Sequence, residues 1–288
     1  MIFLIAILMT GAALGVEMVP ATESAFMDSY KRGLVNLKDI DPGAHERIAT
    51  STNNTPSPLE KHFIGFLYGD IYESVNLSPK VREIVLVAGL TAMGNAKSEL
   101  KTHITGALNS GWTIIEVQEI ILQMSIYSGF PSSANGMNAL KEVLGGREKK
   151  GVADTKGTLI NAKARVKKSQ REAGVIQLEK LQVINAKELL EAYKDVSPSF
   201  AKHVIEYAFG DILSRPEVDY QTREMATIAA LTATGATKQL KFHVQGAMNI
   251  GASKKDIADI IVLVGAYSGF PSMANATSVL KEIVDGQK

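Results

Sequence analysis

The sequence predicts an all-α protein made of two tandem copies of one helical domain, related by internal duplication. Three observations lead there. Helix-start and helix-stop residues bracket apolar runs of helical length, strand-like alternation is convincing nowhere, and long motifs recur at a fixed offset. Tyr68-Gly69-Asp70-Ile71 returns as Phe209-Gly210-Asp211-Ile212, and Arg82-Glu83 as Arg223-Glu224, each 141 residues later. Leu90-Thr91-Ala92 with Gly94 returns as Leu231-Thr232-Ala233 with Gly235 at the same offset. Leu100-Lys101-Thr102-His103 returns as Leu240-Lys241-Phe242-His243 at an offset of 140, so one residue was lost between. The run Tyr127-Ser-Gly-Phe-Pro-Ser132 is repeated letter for letter as Tyr267-Ser-Gly-Phe-Pro-Ser272.

Taken from the N-terminus, Ile2 to Val16 is almost wholly apolar, too short for a comfortable membrane span but suited to the h-region of a secretory signal. Ala13-Leu14-Gly15 places small residues at the −3 and −1 positions of a cleavage site, although no Lys or Arg precedes Lys31. Export to the periplasm or medium is the expectation, with no stable membrane span in the mature protein. A cytoplasmic protein whose apolar leader docks on the core is the alternative.

Within copy one, Ser78-Pro79 reads as an N-cap followed by proline at the first helical position, and Gly94 as the stop. Ile84 to Leu90 is apolar on every side, the mark of a buried central helix. The next helix runs from about Lys97 to Gly111. Thr113-Ile-Ile-Glu116 is a capping box opening a third helix, which ends at the Ser-Gly-Phe-Pro turn before a last helix to Leu144. Copy two repeats this from Asp219 to Gly235, from Lys238 to Gly251, from Ser253-Lys-Lys-Asp256 onward, and lastly to Leu280. The boundaries that follow are 1–21 for a signal peptide or apolar leader, 22–146 for the first domain, 147–177 for a linker and 178–288 for the second. The 288 residues read as two copies of about 141 residues rather than one large core. The linker opens at Gly145-Gly146 and carries Lys149, Lys150, Lys163, Lys167 and Lys168, a solvated and partly helical connector.

Composition removes several function classes. Zero cysteines exclude disulfides, zinc–thiolate and iron–sulfur sites, and thiol peroxidase chemistry. With 31 basic and 30 acidic side chains, the net charge of +1 gives no reason to expect a nucleic-acid partner. Apolar and charged fractions of 45% and 21% are those of a globular chain. There is no Gly-x-Gly-x-x-Gly, phosphate loop, His-Glu-x-x-His or Gly-x-Ser-x-Gly, so neither a metal nor a cofactor is expected.

What remains is a set of acids and bases. Glu83 lies 11 residues before Gly94 and His103 lies 9 after it. In an antiparallel hairpin both stand roughly 14–17 Å from the turn at ~1.5 Å per residue, which brings Arg82 and Glu83 level with His103. Arg223, Glu224 and His243 repeat the arrangement. Glu99 is one turn before His103, and Gly106 sits three residues after it, where a helical glycine indicates close approach by another group. A core histidine satisfied by Glu83 or a carbonyl is the structural alternative, and packing accounts for Tyr127 and Tyr267 as well as substrate contact does. His62 and His203 read as structural. His, Glu and Arg without thiol or metal suit cofactor-free proton transfer on a carboxylate.

The pattern Arg-Glu … Gly … Glu-Leu-Lys-x-His-x-x-Gly-Ala-Leu-Asn-x-Gly … Tyr-x-Gly-Phe-Pro resembles the carboxymuconolactone decarboxylase family of the AhpD-like superfamily, over about Pro58–Leu144 and Pro198–Ile283. In the thiol branch of that superfamily a Cys-x-x-Cys pair precedes the histidine. Here Ala96 and Glu99, and Ala236 and Gln239, stand at those positions, so thiol peroxidase activity is disfavoured. The resemblance implies an all-α fold and a decarboxylase-type lyase or related isomerase acting on a small carboxylated lactone or unsaturated acid. It implies His103, Glu83, His243 and Glu224 as catalytic residues, and Glu99, one turn before His103, is expected to add a second carboxylate in copy one. Arg82, Arg223, Tyr127 and Tyr267 are the expected substrate contacts. Copy two has Gln239 at the position of Glu99, so its proton chemistry is expected to differ, and if only one copy works it is expected to be copy one. A homo-oligomer is expected, a trimer mimicking six single domains. The competing class is a non-catalytic helical module that binds a small ligand or builds an oligomer.

Overall fold

The computed structural model describes residues 23–51, 57–159 and 168–286, which contain helices and no strand. The expected leader lies outside the described residues. Copy one comprises α1 (Glu23–Ile40), α2 (Pro42–Ser51), α3 (Pro58–His62), a π-helical stretch π1 (Phe63–Ile71), α4 (Tyr72–Ser74), α5 (Pro79–Met93), α6 (Lys97–Asn109) and α7 (Ile114–Lys149). Copy two comprises α8 (Gln170–Glu179), α9 (Ala186–Tyr193), α10 (Pro198–His203), π2 (Val204–Leu213), α11 (Tyr220–Thr234), α12 (Thr237–Asn249), α13 (Lys254–Ser268) and α14 (Phe270–Asp285). Among the described residues no helix is long and apolar enough to cross a membrane.

The caps lie where the sequence signals them. Ser78 accepts from the Val81 N–H and Asp219 from the Thr222 N–H, while Gly94 and Gly235 close the two helices in the left-handed conformation. Thr113 and Glu116 form a reciprocal capping box. At Gly129, φ is 81°, which breaks α7 where the Gly-Phe-Pro turn was expected. The second half then continues through Gly145-Gly146 to Lys149, past the expected end at Leu144.

The two copies are not separate cores. Residues 83–92 of α5 and 223–232 of α11 are buried without interruption, so each helix needs cover on every side. Its own copy covers one side and the other copy covers the rest. Helices α5 and α11 pack against each other, and a Cβ on Gly89 would stand 2.9 Å from a Val264 methyl of α13. One hydrophobic core therefore runs from Ile64 and Leu86 through Ile228 to Leu280. A smaller cluster around Leu178, Leu181, Ile205 and Phe209 sits at the start of copy two.

The duplication also reaches further toward the N-terminus than the motifs indicate. Helix α1 packs on π1 as α8 packs on π2, so the end of the expected linker is structural. Both crossings rest on glycine. A Cβ on Gly33 would lie 2.2 Å from the Ile64 oxygen, and one on Gly174 only 1.9 Å from the Ile205 oxygen. Gly33 and Gly174 are 141 residues apart, the repeat offset. Because the obstacle is backbone, Gly174→Ala is expected to destabilise the protein by about 1–3 kcal/mol. Thermal unfolding measures this directly, with Gly286→Ala at the C-terminal helix end as the neutral comparison.

Candidate active site

Helices α5 and α6, and α11 and α12 in copy two, form the antiparallel hairpin that the spacing predicts, and each hairpin closes a buried acid–base pair. In copy one, His103 Nδ1 lies 2.8 Å from Glu83 Oε2, with His103 fully buried and Glu83 3% exposed. In copy two, His243 Nδ1 lies 2.7 Å from Glu224 Oε2. Gly106 is explained by the first pair. A Cβ there would meet the Glu83 carboxylate at 2.3 Å, so the close approach inferred from the sequence is that of a side chain.

Each pair is completed from the other copy. The Tyr267 hydroxyl of α13 lies 2.7 Å from His103 Nε2, and its ring stands edge-on to the imidazole. Tyr127 of α7 stands edge-on to His243 in the same way. Copy one adds two phenols that sequence reasoning did not single out. Tyr68, from π1, lies 3.4 Å from His103 Nε2, and Tyr72 donates to Glu83 Oε1 at 3.0 Å with its oxygen 3.5 Å from His103 Nδ1. The available signal was their spacing, four residues apart and facing the helix that carries Glu83. Burial pushes the phenols of Tyr68, Tyr72 and Tyr267 above the ordinary tyrosine range, and the Glu83 charge pushes the same way. All three therefore stay protonated at ordinary pH.

Copy two departs from this at matched positions. Phe209 replaces Tyr68 and Leu213 replaces Tyr72. Thr227, where copy one has Leu86, donates to the Tyr127 hydroxyl at 3.0 Å. Gln239 replaces Glu99 and Phe242 replaces Thr102, the Phe242 ring lying 5.2 Å from that of His243.

The two arginines also differ. Arg82 donates to the Leu77 carbonyl at 3.3 Å and lies over the Tyr72 ring at 4.5 Å. It borders an open cleft of about 300 Å³ whose floor is Tyr72, Glu83 and Gly106, with Asn36 and Asn109 at the sides. Arg223, expected at a substrate, is fully buried. It bonds Glu119 at 3.1 Å, Gln123 at 3.1 Å and the Arg215 carbonyl at 3.0 Å, and so joins the two copies. Glu119 also takes a two-point ion pair from Arg215, at 2.6 Å for each contact. Burial pushes the Glu119 carboxyl up, but the two guanidiniums outweigh it and hold it below its ordinary value. Glu99 is placed apart from the cleft. It lines a second cavity, of about 440 Å³, with Arg47, Phe63, Tyr68 and Thr102. The structure thus gathers Glu83, Tyr68, Tyr72 and Tyr267 around the His103 imidazole, with Arg82 over the Tyr72 ring, and sets Glu99 at a neighbouring cavity. His62 packs on Phe26, ring centroids 4.6 Å apart, outside both.

Comparison with known proteins agrees with the duplication. A family model described as the carboxymuconolactone decarboxylase family matches residues 58–142 and again 198–282. The chain is similar to a 4-carboxymuconolactone decarboxylase of Acinetobacter baylyi, 30% identical over 94 residues, covering 33% of this chain and 70% of that protein. It is 30% identical over 96 residues to an uncharacterized 15.0 kDa protein of Paracoccus denitrificans, covering 33% of this chain and 72% of the relative. A nitrosuccinic acid decarboxylase of Metarhizium robertsii is 27% identical over 82 residues, 28% of this chain and 57% of the relative.

Proposed function

We propose a reaction for this protein from the fact that it belongs to the carboxymuconolactone decarboxylase family, whose model covers a part of each copy. The reaction is cofactor-free loss of CO2 from a small carboxylated acid that carries its own electron-accepting group. The two decarboxylases to which the chain is similar are named for a lactone acid and a nitro acid. In both compounds a carbonyl or nitro group can take up the electron pair that the departing carboxylate leaves behind. The protein then has to hold the carboxylate and return a proton to carbon.

The observation that carries this reading is the buried Glu83–His103 pair, 2.8 Å apart, behind a cleft that also carries Arg82. Arg82 would hold the substrate's carboxylate through a charge-assisted bond, and the Glu83–His103 pair would supply the proton. Copy one is the site proposed, because in copy two the matching arginine is tied to Glu119. Glu99 bears on the neighbouring chamber and is left out of the step.

The test is CO2 release from a panel of carboxylated lactones, unsaturated acids and 2-nitro acids. Arg82→Gln is expected to raise KM about 10- to 100-fold, the loss of one charged hydrogen bond. A panel on which the intact protein releases no CO2 would reject the reading in favour of a non-catalytic binding module.

A further inference from the structure

The histidine of this site stands back from the cleft that carries Arg82. His103 is fully buried and does not border the Arg82 cleft, whose floor is formed by Tyr72, Glu83 and Gly106. Whatever reaches a substrate there must pass through a group on that floor. Tyr72 is placed for it. Its hydroxyl lies 3.0 Å from Glu83 Oε1 and 3.5 Å from His103 Nδ1, and the Arg82 guanidinium lies over its ring.

Resting on the function proposed above, we propose that Tyr72 is the acid that protonates the substrate carbon, and that Tyr267 from the second copy is the positioning residue that holds His103 behind it. The bond between carbon and carboxylate breaks, CO2 leaves, and the electron pair moves onto the substrate's carbonyl or nitro group. The pair returns to carbon as it takes the Tyr72 proton. The phenol oxygen is reprotonated in turn by the Glu83–His103 pair behind it, with contacts of 3.0 Å to Glu83 Oε1 and 3.5 Å to His103 Nδ1, and the pair gives up one proton. Water in the open cleft restores that one proton after the product leaves, matching the proton that each decarboxylation consumes. Through this step the Tyr267 hydroxyl, hydrogen-bonded to Nε2 at 2.7 Å, fixes the ring, so that Nδ1 keeps facing Glu83 and Tyr72.

Copy two supports the assignment by what it lacks. Leu213 stands where Tyr72 would be, and Thr227 engages the hydroxyl of Tyr127, the counterpart of Tyr267. The chain then has one working site, assembled from both copies.

The experiment uses a substrate whose reacting carbon becomes prochiral, turned over in D2O. The intact protein is expected to place deuterium on one face only. Tyr72→Phe is expected to lower kcat about 100-fold with KM changed less than about threefold, and to let deuterium arrive on both faces. Tyr267→Phe is expected to lower kcat about tenfold, keep one-face labelling, and shift the pH profile of kcat. A Tyr72→Phe protein that keeps its kcat and one-face labelling overturns the proposal, as does labelling of both faces by the intact protein. Loss of turnover in His103→Ala beside an unaffected Tyr72→Phe rejects Tyr72 but keeps the site. Full turnover in both variants rejects the proposed function as well.

Discussion

Replacing His103 by alanine is expected to lower turnover by about 100- to 10,000-fold, the range over which a positioned acid–base group contributes. The ring is fully buried against Glu83, Tyr68, Tyr72 and Tyr267, so its loss also leaves a cavity and unpaired polar atoms. Glu83→Gln separates these effects. It keeps the shape and a hydrogen bond to Nδ1 but removes the negative charge beside the ring. A fall in kcat of at least about tenfold, with the melting temperature kept within a few degrees, is expected. Glu83→Gln at full kcat would show that the pair is only structural.

A loss of stability on the order of 10 °C in melting temperature is expected for Glu119→Ala. The substitution leaves Arg223 fully buried without its carboxylate, and stranding a buried charge costs about 3–5 kcal/mol. Replacing the pair together, Glu119→Leu with Arg223→Met, is expected to recover only part of that loss, because Arg215, which is partly exposed, also loses its two bonds to Glu119. The pH dependence follows from the same contact. The Glu119 carboxyl is held below its ordinary value near 4.5, so its stabilisation is fully present above that value. It is lost as pH falls below 4.5 through the folded-state value. Unfolding followed by urea titration between about pH 3 and 6 should show a steeper acid-side decline in the intact protein than in the variant that replaces both members of the pair.

Much of the copy-one site was legible in the sequence because it lies within one hairpin. Turn length alone brings Glu83 level with His103, since both are counted from Gly94 along regular helices. Glu99 was legible as a neighbour of His103 but not as a member of its chamber. A position one turn away shares the helix face, while the phenols around His103 come from π1, α4 and α13. Tyr72 gave only its four-residue spacing from Tyr68, and a tyrosine in an apolar run reads as packing until the group it faces is known.

The sequence by itself determined the helices, their caps and the doubling, since those depend on neighbours a few residues apart and on a repeat that can be read as letters. It also determined, through the absence of cysteine, that thiol chemistry is closed to this chain. Only the tertiary structure decided that the two copies share one core and exchange tyrosines. An α5 and an α11 apolar on all sides can be covered only by each other's surroundings, and no local pattern says whose residues do the covering. The same packing separated two arginines that look identical in sequence. Arg223 meets Glu119 across the junction and holds the copies together, whereas Arg82 meets the ring of Tyr72 and borders the cleft.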